Sequence, residues 1–305
     1  MTSKKLPTLV WVAFVILCIV WGTTYLGIKN GVKYFPPFWF SGFRHVTAGL
    51  IFLAFCLIRG DKFPSLADIG RLAIVGGCMI IGGNALLSWA EIYISSGLAG
   101  ILSAIAPVFT TLLSIMIFKG FRITWTIVGG LVLSIIGMTI LSKPDEAFQV
   151  SDGFILGIVL TCFANLGWAL GSVFMKKFDV KASVFMRTGI QMTIGGFVNL
   201  MIGTFFEPKI NFSAIPTEGW LWIVYLITIG SLVGYTCFVY LLDYMSPARL
   251  SIHIYVNTVV AVLVGWLFAN EHLTWLMFGA MLIVLTGVVI INNAYAKMAQ
   301  TAFKQ

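Results

Sequence analysis

The sequence predicts an all-α polytopic membrane protein, with ten transmembrane helices arranged as two inverted five-helix repeats around a central cavity. Three observations lead there. Of 305 residues, 59% are hydrophobic and only 10% charged, whereas a soluble domain carries about a quarter charged residues, so the medium receiving this surface is lipid. The apolar residues gather into ten runs long enough to cross hydrocarbon as helices, about 20 residues each, without the alternation of an outer-membrane strand. Landmarks of the first half recur about 150 residues later.

The runs follow in order, each cut by charges, prolines or glycine-rich turns. The first, 9–28, follows Lys4 and Lys5; it is long and lacks a small-residue cleavage site, so it is expected to be a retained helix and not a signal peptide. The second, 38–58, begins after Pro36-Pro37 and stops at Arg59-Gly60. The third, 72–90, runs from Arg71 to Glu91, and the fourth, 98–118, from Ser95-Ser96-Gly97 to Lys119. Arg122 and Lys143-Pro144 bound the fifth, 124–141; Asp152 and Lys176 bound the sixth, 153–175. The seventh, 184–203, ends before Glu207-Pro208, and the eighth, 219–242, lies between Glu218 and Asp243. Pro247 and Asn270-Glu271 delimit the ninth, 248–268; the tenth, 275–291, opens at Trp275.

The basic residues give a formal charge of +8, but they stand singly or in pairs between apolar runs, which excludes nucleic acid as the main partner. Thirteen of them (Lys4, Lys5, Arg59, Lys62, Arg71, Lys119, Arg122, Lys176, Lys177, Lys181, Arg249, Lys297, Lys304) fall on one set of alternate connections. Only Lys29, Lys33, Lys143 and Lys209 fall on the other. Positive charge collects on the cytoplasmic side, so both termini are expected there. Every connection is short, which leaves no room for a soluble domain. The five cysteines (Cys18, Cys56, Cys78, Cys162, Cys237) lie in apolar runs without CxxC spacing and read as small hydrophobes.

A shift of 150 aligns Phe118 with Phe268, Thr124 with Thr274, Trp125 with Trp275, Gly129 with Gly279 and Gly137 with Gly287. A shift of 147 aligns Trp21 and Lys29 with Trp168 and Lys176, and Arg44 has a counterpart in Arg187. Five spans per half is odd, so residues 1–147 and 148–305 enter the membrane in opposite directions. A site between two such halves can face one side and then the other.

The segments from Trp21-Gly22-Thr23-Thr24-Tyr25 to Lys29, Phe35-Pro36-Pro37-Phe38 to Arg44, and Ser96-Gly97-Leu98-Ala99 with Ala106-Pro107 resemble the EamA family of the drug/metabolite transporter superfamily. The second half is similar in Tyr240-Leu241-Leu242 and in Asn270-Glu271-His272-Leu273-Thr274. The resemblance implies ten helices, a cavity lined by the first four helices of each half, and export or exchange of small metabolites across a bacterial inner membrane. Two departures stand out. Where the first repeat of the family often has an acid, this chain has Phe121-Arg122-Ile123-Thr124, and Pro107 is answered in the second half by Asn257.

Polar residues inside spans form stripes at helical spacing, so each stripe shares a face that can point into one hydrated cavity. They are Trp21, Thr24 and Tyr25; Asn84 and Ser88, continued by Glu91; Asn165, Trp168 and Ser172; Arg187 and Gln191; and His253 with Asn257. With Pro107 and Tyr235 they form the expected substrate cavity. The amides serve equally as glue between helices. Trp21 and Trp168 lie too deep for an interfacial belt, whereas Lys29 and Lys176 read as anchors at helix ends. His253 reads as a neutral, hydrogen-bonded ring. Arg44 and Arg187 are either gates at opposite mouths or donors to carbonyls of a broken neighbouring helix. Glu91 is the candidate coupling acid; a solvated acid at a helix end is the other reading.

A secondary carrier for a small metabolite, amino acid or drug-like amphipathic solute, acting as a monomer in the bilayer with or without a coupling proton, accounts for these features best. The alternatives are an uncoupled facilitator or channel and, below those, a membrane-embedded enzyme, which would need an acid pair, a Ser/His pair or a metal cluster at membrane depth. Neither a nucleotide loop nor a metal-ligand motif is present in the sequence, so no cofactor or metal is expected.

Overall fold

The computed structural model describes residues 7–118, 124–141, 152–251, 253–269, 271 and 274–302. They form α1 (Thr8–Gly31), α2 (Pro37–Arg59), α3 (Leu66–Tyr93), α4 (Ser96–Ile117), α5 (Trp125–Leu141), α6 (Phe154–Phe178), α7 (Val184–Phe206), α8 (Thr217–Tyr244), α9 (His253–Ala269) and α10 (Trp275–Ala302). Seven of these, α1 to α4 and α6 to α8, are long and apolar enough to cross a membrane; α5, α9 and α10 contribute shorter apolar stretches.

Several elements depart from the expected runs. Helix α3 begins six residues early because Ser65 Oγ accepts the Asp68 amide at 3.2 Å and caps an extra turn. Helix α10 continues past 291 to Ala302. Two expected runs are interrupted. Helix α4 loosens at Ala104 and Ile105, just before Pro107, and α9 is preceded by a separate turn, Pro247–Leu250. In α3 and α8 the windings widen to π-helix over Gly77–Ala85 and Leu226–Tyr235. Such wide turns shift backbone carbonyls away from their usual partners and often occur at functional sites.

Helices pack where glycine lets backbones meet. A Cβ on Gly196 would stand 2.7 Å from the Val46 amide nitrogen, and one on Gly42 would stand 2.6 Å from that of Leu200, so α2 and α7 run antiparallel in contact. Between α5 and α10, a Cβ on Gly130 would meet the Gly287 carbonyl at 2.5 Å. Adjacent glycines differ in what they meet. Gly130 is buried against α10, whereas Gly129 and Gly77 have nothing within reach.

Contacts at the helix ends fix two poles. At the first pole, Glu207 after α7 accepts the Phe38 and Trp39 amides at the start of α2, both at 2.9 Å, and Tyr34 Oη donates to Glu218 at 2.9 Å. At the second, Ser183 Oγ donates to Asp61 at 2.8 Å, joining the end of α2 to the start of α7.

Candidate binding cavity

The wide turns supply acceptors to side chains of neighbouring helices and of their own. Trp21 Nε1 donates to the Gly230 carbonyl at 3.0 Å, and Arg44 Nε donates to Ser231 Oγ at 3.0 Å, both inside the wide segment of α8. In α3, Asn84 Nδ2 donates to the Met79 carbonyl at 3.0 Å, and Asn199 of α7 reaches Ile80 at 3.3 Å.

These interactions surround an interior cavity of about 80 Å³. Its walls are Trp21, Thr24, Tyr25 and Ile28 of α1, Arg44 of α2, Gly83, Asn84 and Leu87 of α3, and Ser103 of α4. Ala164, Asn165 and Trp168 of α6, Tyr235 of α8, and His253, Ile254 and Asn257 of α9 complete them. The volume is well below the roughly 300–1,000 Å³ of a small-molecule site, so this conformation must widen to hold a solute of ten or more heavy atoms.

Of the sequence-derived residues, Ser88, Pro107, Ser172 and Gln191 are not in these walls. Ser88 and Ser172 donate to the carbonyls four residues back, Asn84 and Trp168, at 2.8 and 2.7 Å. Pro107 is buried at the break in α4, and Gln191 is buried where the Gly76 backbone of α3 lies against its own. Sequence reasoning did not single out Phe238, whose ring lies 5.1 Å from both Trp21 and Trp168. With Trp21 and Trp168 5.0 Å apart edge to face, and His253 5.5 Å from Trp21, it makes an aromatic floor toward the second pole. An all-apolar run gives Phe238 no distinguishing signal.

The amide nitrogens of the wall are engaged by backbone. Asn165 Nδ2 donates to Thr161 at 2.8 Å, and the Asn257 nitrogen donates to the carbonyls of His253 and Cys18 at 3.0 and 2.7 Å. Among the described residues no protein donor meets the amide oxygens of Asn84 or Asn165. His253 donates through Nδ1 to Leu250 at 2.8 Å, which makes Nε2 an acceptor in the neutral ring. The polar part of the wall is therefore rich in acceptors, with Arg44 as its cationic donor.

Beyond the cavity, charged groups occupy the poles. Lys29 and Lys176 are not simple surface anchors: each Nζ turns inward, to the Glu91 carbonyl at the end of α3 and to the Leu242 carbonyl near the end of α8, both at 2.7 Å. The Glu91 carboxylate is fully buried, and among the described residues neither oxygen has a hydrogen-bond partner. It is not a solvated helix-end acid. Glu271 accepts from Ser96 N at 2.8 Å, Ser96 Oγ at 2.6 Å and Gly97 N at 2.8 Å, closing the start of α4. Arg187 pairs with Asp243 at 2.5 Å near the second pole. Outside the spans, burial raises the Glu207 carboxyl above its usual range, against the two amides it accepts, and the bond to Glu218 raises the Tyr34 phenol. Among the described residues no His/Cys/Asp/Glu group could hold a metal ion.

The model of the EamA-like transporter family matches this chain twice, over residues 8–143 and 155–293. The chain belongs to the EamA-like transporter family. Within the drug/metabolite transporter superfamily, this EamA-like chain is 31% identical over 279 residues, 90% of its length and 88% of the relative's, to an uncharacterized inner membrane transporter of Escherichia coli, YedA. It is 26% identical to an uncharacterized transporter of Archaeoglobus fulgidus, covering 92% of this chain and 98% of that one. It is 25% identical to the protein PecM of Dickeya dadantii, covering 90% and 89%. A solved crystal structure superposes with a TM-score of 0.69 at 15% identity over 96% of this chain and 99% of the other, a likeness of fold. The chain is a multi-pass membrane protein of a transporter family.

Proposed function

We propose that this EamA-like protein is a secondary carrier for a small amphipathic solute, working by alternating access as a monomer in a bacterial inner membrane, in export or exchange. The reading includes ten crossings in two inverted halves, 1–147 and 148–305, with both termini cytoplasmic. The observation that carries it is the pair of lysines. Lys29 at the end of α1 ties to the end of α3 at one pole, and Lys176 at the end of α6 ties to the end of α8 at the other, with the same bond length. The two wide turns, the paired environments of Gly137 and Gly287 at the α5–α10 contact, and the twofold match of the family model support the same symmetry. Repeats related in this way exchange conformations to expose a central site first on one side, then on the other.

The first pole corresponds to the outer side. The aromatic floor and the Arg187–Asp243 pair then close the inner side, which favours a carrier over an open pore. Acceptor-rich walls beside indole and phenol rings suit an amphipathic solute with N–H donors. Glu91, buried with both oxygens unpartnered, is the coupling-proton site in this reading.

Counterflow in proteoliposomes, with amino acids, purines and lipophilic amines as paired internal and external solutes, tests the proposal. Saturable counterflow is expected, whereas flux linear in concentration, or none above protein-free liposomes, overturns it. For coupling, Glu91→Gln should abolish uphill uptake and keep counterflow; unchanged uphill uptake rejects the role of Glu91.

A further inference from the structure

The two repeat-related arginines are treated differently by the protein. Arg187 is neutralised by Asp243 at 2.5 Å, with Asp243 itself 40% exposed. Arg44 is 4% exposed, lines the cavity, and has no carboxylate within 4.0 Å among the described residues. Among the described residues its guanidinium makes a single protein hydrogen bond, Nε to Ser231 Oγ at 3.0 Å. Ser231 is fully buried in the wide segment of α8, so this bond fixes the orientation of the plane while leaving the two Nη groups without a protein acceptor. An isolated arginine at membrane depth costs about 2.5–3.5 kcal/mol even on the mildest scales, and such residues persist where they pair or line a pathway. Among the described residues no carboxylate reaches it as an ion pair; the buried Glu91 lies beyond 4.0 Å and acts on it only at longer range. The cavity it lines, once widened, provides the space for one, and with Nε engaged the end-on edge formed by the two Nη groups remains as a planar fork that matches a carboxylate.

We infer that Arg44 binds the carboxylate of the transported solute directly, making a small aromatic or apolar carboxylate the class of ligand this cavity takes. The inference rests on the carrier reading above and narrows its solute. A carboxylate on Arg44 places its apolar body toward Trp21, Trp168 and Phe238, and any N–H groups near the oxygens of Asn84 and Asn165. Among the described residues Arg44 is the one Lys or Arg side chain of the wall, and His253 is a neutral ring there, which suits a single carboxylate and not a phosphate ester, which calls for clustered basic groups. Arg44 is thereby distinguished from Arg187: one meets the solute, the other its own protein.

The test is isothermal titration of the purified full chain with three solutes that share a body and differ in head group: 3-phenylpropionate, 3-phenylpropanamide and 3-phenylpropylamine. The carboxylate should bind at least about tenfold more tightly than either of the others. Arg44→Gln should weaken it about thirtyfold or more, the usual consequence of removing one partner of a buried charge pair. Arg44→Lys should keep the preference at reduced affinity, which a purely structural arginine would not do. Equal binding of the three solutes, no binding of the carboxylate, or a carboxylate preference that survives in Arg44→Gln overturns the inference. Counterflow separates the two levels: saturable exchange of amines or neutral solutes alone removes the carboxylate anchor and leaves the carrier, whereas no exchange of any solute removes the carrier reading itself.

Discussion

Breaking the Arg187–Asp243 pair should release the inner side of the cavity. The contact is 2.5 Å long, with the arginine side chain 8% exposed and the aspartate 40% exposed. Fully exposed pairs contribute about 0.2–1 kcal/mol, and removing one partner of a buried pair costs about 3–5 kcal/mol. A pair open on the carboxylate side lies between these, at about 1–2 kcal/mol. If the bond exists only in the inner-closed state, that difference moves the equilibrium toward inner-open by a factor of about 5 to 30. Asn165→Cys, in a background lacking the five native cysteines, gives a reporter in the cavity wall. In inside-out vesicles, Asp243→Asn should raise its rate of modification by an impermeant thiol reagent by that factor, and in right-side-out vesicles lower it. Restoring the pair in reverse, as Arg187→Asp with Asp243→Arg, should return both rates toward the starting values. Unchanged rates in Asp243→Asn, in a protein that remains folded, would refute the assignment of the pair as an inner latch.

Two further predictions concern stability. Glu271→Ala removes three hydrogen bonds to the start of α4, two of them to backbone amides. Charge-assisted capping of this kind is worth about 2–3 kcal/mol, so thermal unfolding in detergent should occur several degrees lower, with Glu271→Gln intermediate because one acceptor oxygen is kept. An unchanged midpoint in Glu271→Ala would contradict the cap. Gly196→Ala drives a Cβ against the Val46 amide and the Gly42 carbonyl and should destabilise by about 1–3 kcal/mol. Gly129→Ala meets nothing and should be neutral or slightly stabilising in the same unfolding assay.

The sequence by itself determined the class of solvent, the helical character and the family. Apolar runs near 20 residues leave few alternatives in a medium that cannot hydrogen-bond backbone. It also brought Trp21, Asn84, Asn165, Trp168, His253 and Asn257 forward, because polar or amphipathic groups deep in an apolar run are costly and therefore conspicuous. Spacing put Ser88 and Ser172 on stripes shared with wall residues, but it could not show how far along each helix the cavity extends, and both lie outside its walls. The wide turns of α3 and α8 were not legible either. A π-helical winding is chosen by the fit of neighbouring helices, and Gly230, Ser231 and Met79 gain their roles only through it. The tertiary structure alone decided which charges are neutralised. Arg44 and Arg187 occupy related positions in sequence, but the carboxylate that answers Arg187 lies 56 residues away on another helix, and among the described residues the cavity that Arg44 faces is lined by none. Local sequence fixes what a side chain can offer, and packing fixes what it meets, because partners in a helical bundle are set by crossing helices and not by neighbours along the chain.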